Sequence, residues 1–315
     1  MPKNRWMNPE FFAGYAAEEI DRHLGYRRDA FRKTEISFYG GNFLGLKENA
    51  IHRLLETASK YVRAGTVQGI RFSTRPDTVN PRSIALLSGY PVQTVELGVQ
   101  SMDDSVLERS ARGHSAKDSV LAASLLKKNH YRTGLQMMVG LPGECAHSAM
   151  ETARSIISLA PDFVRIYPVL VVRDSPLEHL HRRGLYEPLD LDGCIARVKD
   201  LFAVFLESDI PVVRIGLQAN EGFDSGGELV AGPYHPALGQ MVVSELLFDR
   251  AAGAIEAAGI VSEKGMHLHV HPKMISTLRG QKNANLRKLE RLFPKAVPIR
   301  VVSDPDSGLH DVAVK

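Results

Sequence analysis

The chain has 315 residues, of which 44% are hydrophobic and 24% are charged, and this composition excludes a mostly disordered protein. At this length, one large domain with a smaller appendage is the expected organisation. The two cysteines, Cys145 and Cys194, have no C-x-x-C spacing, which excludes a disulfide scaffold and a zinc ribbon and favours a reducing compartment. No run approaches the ~18 apolar residues of a membrane span, so we expect a cytoplasmic protein with no membrane partner.

The predicted elements alternate along the first two thirds of the chain. A helix is predicted to begin at Asn8-Pro9-Glu10, which supplies an N-cap, a helix-starting proline and an acid. Apolar runs predict buried strands at 35–39, 70–74, 94–99, 135–139, 163–172 and 212–217. Amphipathic segments predict helices at 50–64, 81–88, 105–129, 148–159 and 194–206. This βα alternation predicts a parallel sheet, either a (β/α) barrel or an open doubly wound sheet.

Polar or glycine-rich clusters follow the predicted strands, and in a barrel they converge on the face that carries the active site. The first cluster, Gly40-Gly41-Asn42, suits the close approach of a ligand's polar head, but it is also an ordinary strand-to-helix turn. Gln100 and Gln136 lie in or beside apolar runs, where an amide needs partners from a buried network or a ligand. Arg112 either reaches a carboxylate or marks a helix end beside Gly113.

Other residues at these strand ends favour structural roles. Arg75 and Asp77 are interpreted as an ion pair, and Met137 and Met138 as core. The absence of G-x-G-x-x-G after a strand, and of G-x-x-x-x-G-K-[ST], disfavours a dinucleotide or nucleoside-triphosphate fold.

A small α+β domain is predicted at the C-terminal end. We place a barrel domain at 1–221, a glycine-rich linker at 222–239 and the α+β domain at 240–315. The last domain has predicted helices at 242–258 and 274–293 and strands at 267–271, 299–302 and 311–314. Three histidines lie at every second position of one predicted strand: His267, His269 and His271. This spacing suits either a metal site or an ordinary strand face. We favour the strand face, because no carboxylate or cysteine lies close in sequence.

The formal net charge of +3 is unevenly distributed. Seven basic residues and one acidic residue lie between Arg279 and Arg300, so the rest of the chain is net acidic. Four of the basic residues are placed on or at the start of one predicted helix: Arg279, Lys282, Arg287 and Lys288. Such side chains at a helix N-terminus suit contacts with nucleic-acid phosphates, and the alternative is a solvated helix face.

Taken together and in order, these stretches resemble the radical S-adenosylmethionine (SAM) enzymes, in the branch around the Elongator catalytic subunit and its bacterial relatives. The similar stretches include SFYGGNFLG (37–45), VELGVQSMDDSVLERSARGH (95–114) and GLQMMVGLPGE (134–144). RGQKNANL and RVVSDPD resemble the short C-terminal domain of the bacterial relatives. The resemblance implies a partial (β/α) TIM-like barrel that binds SAM and a 4Fe-4S cluster, receives an electron from an external donor, and forms a 5′-deoxyadenosyl radical for tRNA modification.

The resemblance also assigns SAM binding to seven residues: Gly40, Gly41, Asn42, Ser73, Gln100, Arg112 and Gln136. The first three match the Gly-Gly motif that meets the amino group of the methionine moiety. Ser73 falls where a polar residue often contacts the ribose or methionine part. Gln100 and Arg112 match residues that contact SAM in the related coproporphyrinogen oxidases, and Gln136 occupies their ribose-binding strand position.

One departure from the family pattern concerns the iron–sulfur cluster. The family binds its cluster through C-x₃-C-x₂-C after its first barrel strand, and three thiolates are required. Cys145 and Cys194 are both far beyond that position, and the first strand of this chain already ends in Gly-Gly. We therefore expect no metal site in this chain, a cluster only in a complete protein with a longer N-terminus, and no activity from the truncated form.

Two other functions stay open. One is a non-catalytic RNA-binding descendant of the enzyme. The other is a non-redox barrel lyase or isomerase, which needs a carboxylate or lysine at the strand ends, where Asp77 is the obvious candidate. Acetyl transfer, which the Elongator subunit performs with a further domain, is not expected because the stretch after Gln240 is too short for that domain.

Overall fold

A computed structural model describes residues 9–26, 34–218, 223, 227–259 and 265–314, with backbone alone for 9–13. The chain divides into two compact units. Unit 1 contains the residues up to Tyr167 and Phe205–Val213, and unit 2 contains Pro168–Val204 and the residues from Arg214 onwards. The domain boundaries that the sequence suggests at 222 and 240 stay a prediction. Within the described ranges, we find no helix with the length and apolarity that crossing a membrane requires.

The largest sheet has six strands, in the order β1-β2-β3-β4-β5-β7. The strands in chain order are β1 Glu35–Phe38, β2 Gly69–Thr74, β3 Val92–Gln100, β4 Arg132–Val139, β5 Phe163–Pro168, β6 Val171–Val172 and β7 Val212–Ile215. The six strands are parallel and curl through 201° into a half-barrel. The curl confirms the predicted partial barrel over an open doubly wound sheet.

One helix precedes β1, and the others follow strands of this sheet, as the sequence predicts. They are α1 Pro9–Gly25, α2 Glu48–Arg63, α3 Pro81–Leu87, α4 Asp104–Arg109, α5 Ala116–Lys128 and α6 Ala146–Ser158. In each of the last four helices, the side chain of the N-cap residue accepts a hydrogen bond from a backbone N–H of the first turn, as Ser115 does for α5. The prediction of a single helix over 105–129 was wrong, because Ala111 and Gly113 take left-handed φ values of 51° and 69° between α4 and α5.

The remaining elements form two smaller sheets with their helices. The helices are α7 Pro176–Arg182, α8 Leu191–Glu207, α9 Leu238–Ala258, α10 Ile275–Arg279 and α11 Ala284–Leu292. The strands are β8 Leu229–Ala231, which pairs with β6, and β9 Met266–Val270, β10 Ile299–Ser303 and β11 Val312–Val314. In the order β10-β9-β11, β10 runs parallel and β11 antiparallel to β9. A core between this sheet and its helices includes Leu247, Ala251, Leu268, Leu278 and Leu289.

Three sequence predictions differ from this part of the fold. The predicted strand over 163–172 is interrupted after Pro168 and continues as β6. The predicted helix over 274–293 is two short helices, because Gly280, Lys282 and Asn283 take left-handed φ values of 69°, 51° and 61°. The predicted linker contains β8, and its residues 222 and 224–226 lie outside the described residues.

Candidate functional site

A cavity of about 760 Å³ lies in unit 1 beside α1, β1 and the turn that follows β1. Its volume is within the range of small-molecule sites, roughly 300–1,000 Å³. The lining is largely apolar, and Gly40, Gly41, Asn42 and Ser73 contribute to it together with other polar residues, which include Glu35 and Ser37. Four of the seven residues assigned to SAM binding are therefore brought to one cavity. Within the described residues, the hydroxyl of Ser73 has no hydrogen-bond partner.

The turn after β1 presents open backbone. Gly40 has a φ of 102°, which L side chains rarely adopt. Apart from the adjoining residues in the chain, no atom of the described residues lies within 4 Å of the position that a Cβ would take at Gly40 or at Gly41. Among the described residues, neither glycine makes a backbone hydrogen bond through its N–H or through its carbonyl oxygen. These polar groups are therefore free to meet the polar head of a ligand.

Asn42 holds this turn to the end of β2. Its Oδ1 accepts hydrogen bonds from Thr74 Oγ1 at 2.7 Å and from the backbone N–H of Arg75 at 3.1 Å. Thr74 Oγ1 in turn accepts from the N–H of Leu44 at 3.1 Å. Because this side-chain oxygen is already occupied, the backbone of the two glycines is the part of the motif that is open to a ligand.

Gln100 and Gln136 form a pair on neighbouring strands. Gln136 Nε2 donates to Gln100 Oε1 at 3.0 Å. Gln100 has a left-handed φ of 66° at an irregularity in the β3–β4 pairing, and its Nε2 lies 2.5 Å from where a Cβ would be at Gly98. Each glutamine thus satisfies one group of the other, and within the described residues Gln100 Nε2 and Gln136 Oε1 are available to a ligand.

Arg112 is a largely buried cation without an anion. Its Nη2 lies 2.7 Å from the weakly accepting Sδ of Met138, and no described carboxylate forms an ion pair with it. Burial, and then the neighbouring positive charge of Arg75, lower the pKa of Arg112. A carboxylate is the partner that a guanidinium in this setting prefers. Met137 is fully buried as predicted, whereas Met138 is only partly buried and contacts Arg112 instead of forming core.

The predicted ion pair between Arg75 and Asp77 connects two parts of the site. Arg75 Nε and Nη2 donate to the two oxygens of Asp77 at 2.9 and 2.8 Å, and Nη2 also donates to the carbonyl of Gly113 at 2.8 Å. Since the Arg75 backbone binds Asn42 and the Arg75 side chain binds Gly113, Arg75 connects the glycine turn to the residue that follows Arg112. Both oxygens of the Asp77 carboxylate are thus occupied by Arg75. This disfavours the lyase or isomerase alternative, in which Asp77 would be the reacting carboxylate.

The structure also reveals a group that the sequence interpretation missed, which we call the ionic cluster: Glu35, Arg71, Glu96 and Arg165. They lie on β1, β2, β3 and β5, where alternate residues face one side of the sheet. Glu96 is only 3% exposed. It pairs with Arg71, and Arg165 Nε lies 2.8 Å from Glu96 Oε2, while Arg71 Nη1 lies 3.2 Å from Glu35 Oε2. Two acids and two bases therefore balance each other.

Tyr39 stands between the ionic cluster and the cavity. Its hydroxyl donates to Glu96 Oε1 and accepts from Arg165 Nη2 at 3.0 Å. The guanidinium carbons of Arg71 and Arg165 lie 5.9 and 5.3 Å from its ring centroid. Burial, and then the hydrogen bond to Glu96, raise the pKa of Tyr39, so the hydroxyl stays protonated at physiological pH. The ring also lines the cavity next to Gly40.

The described residues do not fit a 4Fe-4S cluster. Cys145 is exposed at the N-cap of α6, and Cys194 is buried within α8. In the described part of the chain, no group of three or more Cys, His, Asp or Glu side chains is placed to hold a metal ion. Three thiolates are needed for the family's cluster, and two cysteines are present.

The three histidines of the predicted strand face lie on and beside β9. Among them, His269 Nδ1 lies 3.6 Å from Asp304 Oδ2.

The basic residues lie in unit 2, around the break between α10 and α11. Arg279, Lys282, Arg287 and Lys288 are all exposed. Lys288 Nζ lies 4.0 Å from Glu245, and no described carboxylate forms an ion pair with the other three. Arg287 Nη1 donates to the carbonyl of Lys282 at 2.6 Å. The structure therefore presents three cations whose charges are not neutralised within the described residues.

Comparisons with known proteins agree with this architecture. A curated protein of Methanocaldococcus jannaschii, named as uncharacterized, is 31% identical over 204 residues, which are 63% of this chain and 61% of that protein. A tRNA uridine(34) acetyltransferase of Dehalococcoides mccartyi is 29% identical over 235 residues, 66% of this chain and 50% of that protein. The chain thus spans between half and two thirds of the length of these relatives.

The fold is also that of a solved structure. The archaeal Methanocaldococcus infernus Elp3 with an N-terminal deletion matches with a TM-score of 0.63 and 21% identity, over 82% of this chain and 66% of that chain. The family described as the Radical SAM superfamily matches residues 9–156, and the Radical_SAM C-terminal domain matches residues 161–247. The matches confirm the resemblance seen in the sequence, and the chain belongs to the radical SAM superfamily.

Proposed function

We propose that this chain binds SAM in unit 1 and RNA, specifically tRNA, through the basic residues of unit 2. The observation that carries the SAM proposal is the largely buried guanidinium of Arg112, which has no anionic partner among the described residues. The methionine part of SAM carries the carboxylate that such a cation needs.

The other site residues have separate tasks in this proposal. The carbonyl oxygens of Gly40 and Gly41 accept hydrogen bonds from the amino group of SAM in the cavity, and Asn42 holds their turn in place. Ser73 and Gln136 offer polar groups to the ribose hydroxyls. Gln100 orients Gln136 through their mutual hydrogen bond. The largely apolar lining of the cavity offers packing surface to the apolar parts of the ligand.

The proposal stops at SAM binding. In this superfamily a 4Fe-4S cluster supplies the electron that cleaves SAM. The described residues do not provide three thiolates for that cluster, so we assign no cleavage step to them.

Isothermal titration with SAM tests the first part of the proposal. Arg112→Met keeps a long unbranched side chain but removes the charged guanidinium. We expect this variant to bind SAM at least about tenfold more weakly. Arg82→Met is the matched control, because Arg82 is an exposed arginine whose side chain is 84% accessible and pairs with Glu48 on the surface. Absence of SAM binding by the wild-type chain, or equal affinities of Arg112→Met and wild type, contradicts the proposal.

The RNA part rests on the exposed cations and on the relative named as a tRNA uridine(34) acetyltransferase. We expect tRNA to bind with strong salt dependence, because contacts with phosphate release counterions. Replacing the four basic residues by alanine should weaken binding and lower the slope of log K against log salt by about 3. A control variant changes four exposed lysines of unit 1 to alanine: Lys47, Lys60, Lys117 and Lys128. If both variants bind tRNA equally, the basic residues are a solvated surface.

A non-catalytic RNA-binding role is the second candidate, favoured by the missing set of three thiolates in the described residues. The same titrations separate the two candidates. Binding of tRNA without any binding of SAM supports the non-catalytic role.

A further inference from the structure

The glycine turn beside the cavity is held by the residues on either side of it. Gly40 and Gly41 have no side chains, and among the described residues no atom outside their chain neighbours fills their Cβ positions and their backbone groups make no backbone hydrogen bond. Two glycines with this freedom adopt one conformation only when neighbouring groups fix it. The anchor on the C-terminal side is Asn42, which binds Thr74 and Arg75 on β2 and just after it.

The anchor on the N-terminal side is Tyr39. Its hydroxyl reaches across to Glu96 on β3, and both neighbouring guanidinium groups lie against its ring. Glu96 is itself fixed, since it is 3% exposed and pairs with Arg71 and Arg165. Tyr39 as a residue is 50% exposed, so the position of its side chain depends on these polar contacts more than on packing.

We propose that Glu96 is a positioning residue that sets the SAM-binding turn through Tyr39. The carboxylate accepts the Tyr39 hydroxyl, Tyr39 fixes the start of the turn, and Asn42 fixes its end. The ionic cluster holds Glu96 in place within the half-barrel. This inference rests on the proposed function, because the turn is the group that we propose to meet the amino group of SAM.

The geometry distinguishes this role from a purely structural one. Glu35 and Arg71 pair at 3.2 Å, and this contact does not involve Tyr39. Tyr39→Phe leaves all four charges of the ionic cluster in place and removes only the hydroxyl. If the cluster served only to stabilise the sheet, this variant would bind SAM as the wild type does.

The experiment combines SAM titration with hydrogen exchange. We expect Tyr39→Phe to bind SAM about tenfold more weakly, the effect of losing one hydrogen bond to a charged group. The amides of Leu44, Gly45 and Leu46, which are hydrogen-bonded in and after the turn, should exchange faster than in the wild type. Tyr61→Phe is the matched control, because its hydroxyl also donates to a carboxylate, that of Asp21 at 2.8 Å, and not to the ionic cluster.

Glu96→Gln and the double variant complete the test. The comparison is between the effect of Tyr39→Phe on SAM affinity in the wild type and its effect in the Glu96→Gln variant. If both residues act through one hydrogen bond, the effect is smaller in the Glu96→Gln variant. Unchanged SAM affinity and unchanged exchange in Tyr39→Phe overturn the inference, as do effects equal to those of Tyr61→Phe. If the wild type binds no SAM, the proposed function fails, and the exchange of the turn amides alone decides whether Glu96 and Tyr39 position the turn.

Discussion

Changing Gly134 to alanine should destabilise the half-barrel more than one added methyl group suggests. Gly134 lies in β4 directly beside Glu96 of β3. The new Cβ would lie 2.3 Å from Phe163 Cζ, 2.4 Å from Phe163 Cε2 and 3.1 Å from Glu96 Cγ. Because carbon atoms pack at about 3.5–4 Å, the ring must move by more than about 1 Å.

Phe163 has little room for such a movement. The residue is 1% exposed, and the guanidinium carbons of Arg71 and Arg132 lie 5.4 and 5.0 Å from its ring centroid. Overpacking of a well-filled core costs about 1–3 kcal/mol. Displacing the ring also disturbs Arg71 and therefore the ionic cluster, so we expect the free energy of unfolding to fall by about 3 kcal/mol.

Urea denaturation followed by circular dichroism measures this loss. Gly14→Ala is the control, since Gly14 lies in α1 with no atom within 4 Å of its Cβ position. The same substitution in an exposed helix should raise the free energy of unfolding by about 0.5–1 kcal/mol. A loss below about 1 kcal/mol at Gly134 would refute the conclusion that Phe163 and Glu96 are tightly packed around it.

Three further predictions concern the turn, unit 2 and pH. Gly40→Ala should weaken SAM binding in titration more than Gly41→Ala, because only Gly40 has a positive φ, and equal affinities would contradict this. Asn285→Ala should lower the free energy of unfolding by about 1–3 kcal/mol in urea melts, since the buried amide donates to Ser244 O and Oγ, and an unchanged midpoint would count against it. Burial, and then Arg250, lower the pKa of His310, so folding favours its neutral form and stability falls as the pH drops below about 6.5. His310→Gln should remove that part of the pH dependence of the melts, and an unaltered profile would exclude His310 as its source.

The sheet was predictable from sequence because its strands are nearly continuous apolar runs. Buried parallel strands need such runs, and all six strands of the half-barrel overlap the stretches that the sequence indicates, although β2, β3 and β4 begin one to three residues earlier. Helix ends were less predictable. Apolar periodicity continues through Ala111 and through Lys282, although both residues take a left-handed φ that ends the helix. Periodicity reports which face is apolar and carries no information about a single backbone angle.

The candidate site was predicted in part, and the reason lies in the charges of the strands. The glycine turn and the Gln100–Gln136 pair stand out because polar residues at strand ends are conspicuous in an apolar sequence. The strands β2, β3 and β5 each contain a single charged residue, which is Arg71, Glu96 and Arg165 respectively. In a flat two-faced sheet, these positions would face solvent.

The curl of the sheet changes the meaning of those charges. In a half-barrel the inner faces of distant strands turn toward one another, so Arg165 of β5 reaches Glu96 of β3 and Tyr39 at the end of β1. A charge that looks solvated in one strand becomes a partner of a charge two strands away. Tyr39 then connects this interior group to the two residues that follow it in sequence, Gly40 and Gly41. The local motif is therefore visible in the sequence, whereas the group that fixes its geometry emerges only when the sheet closes.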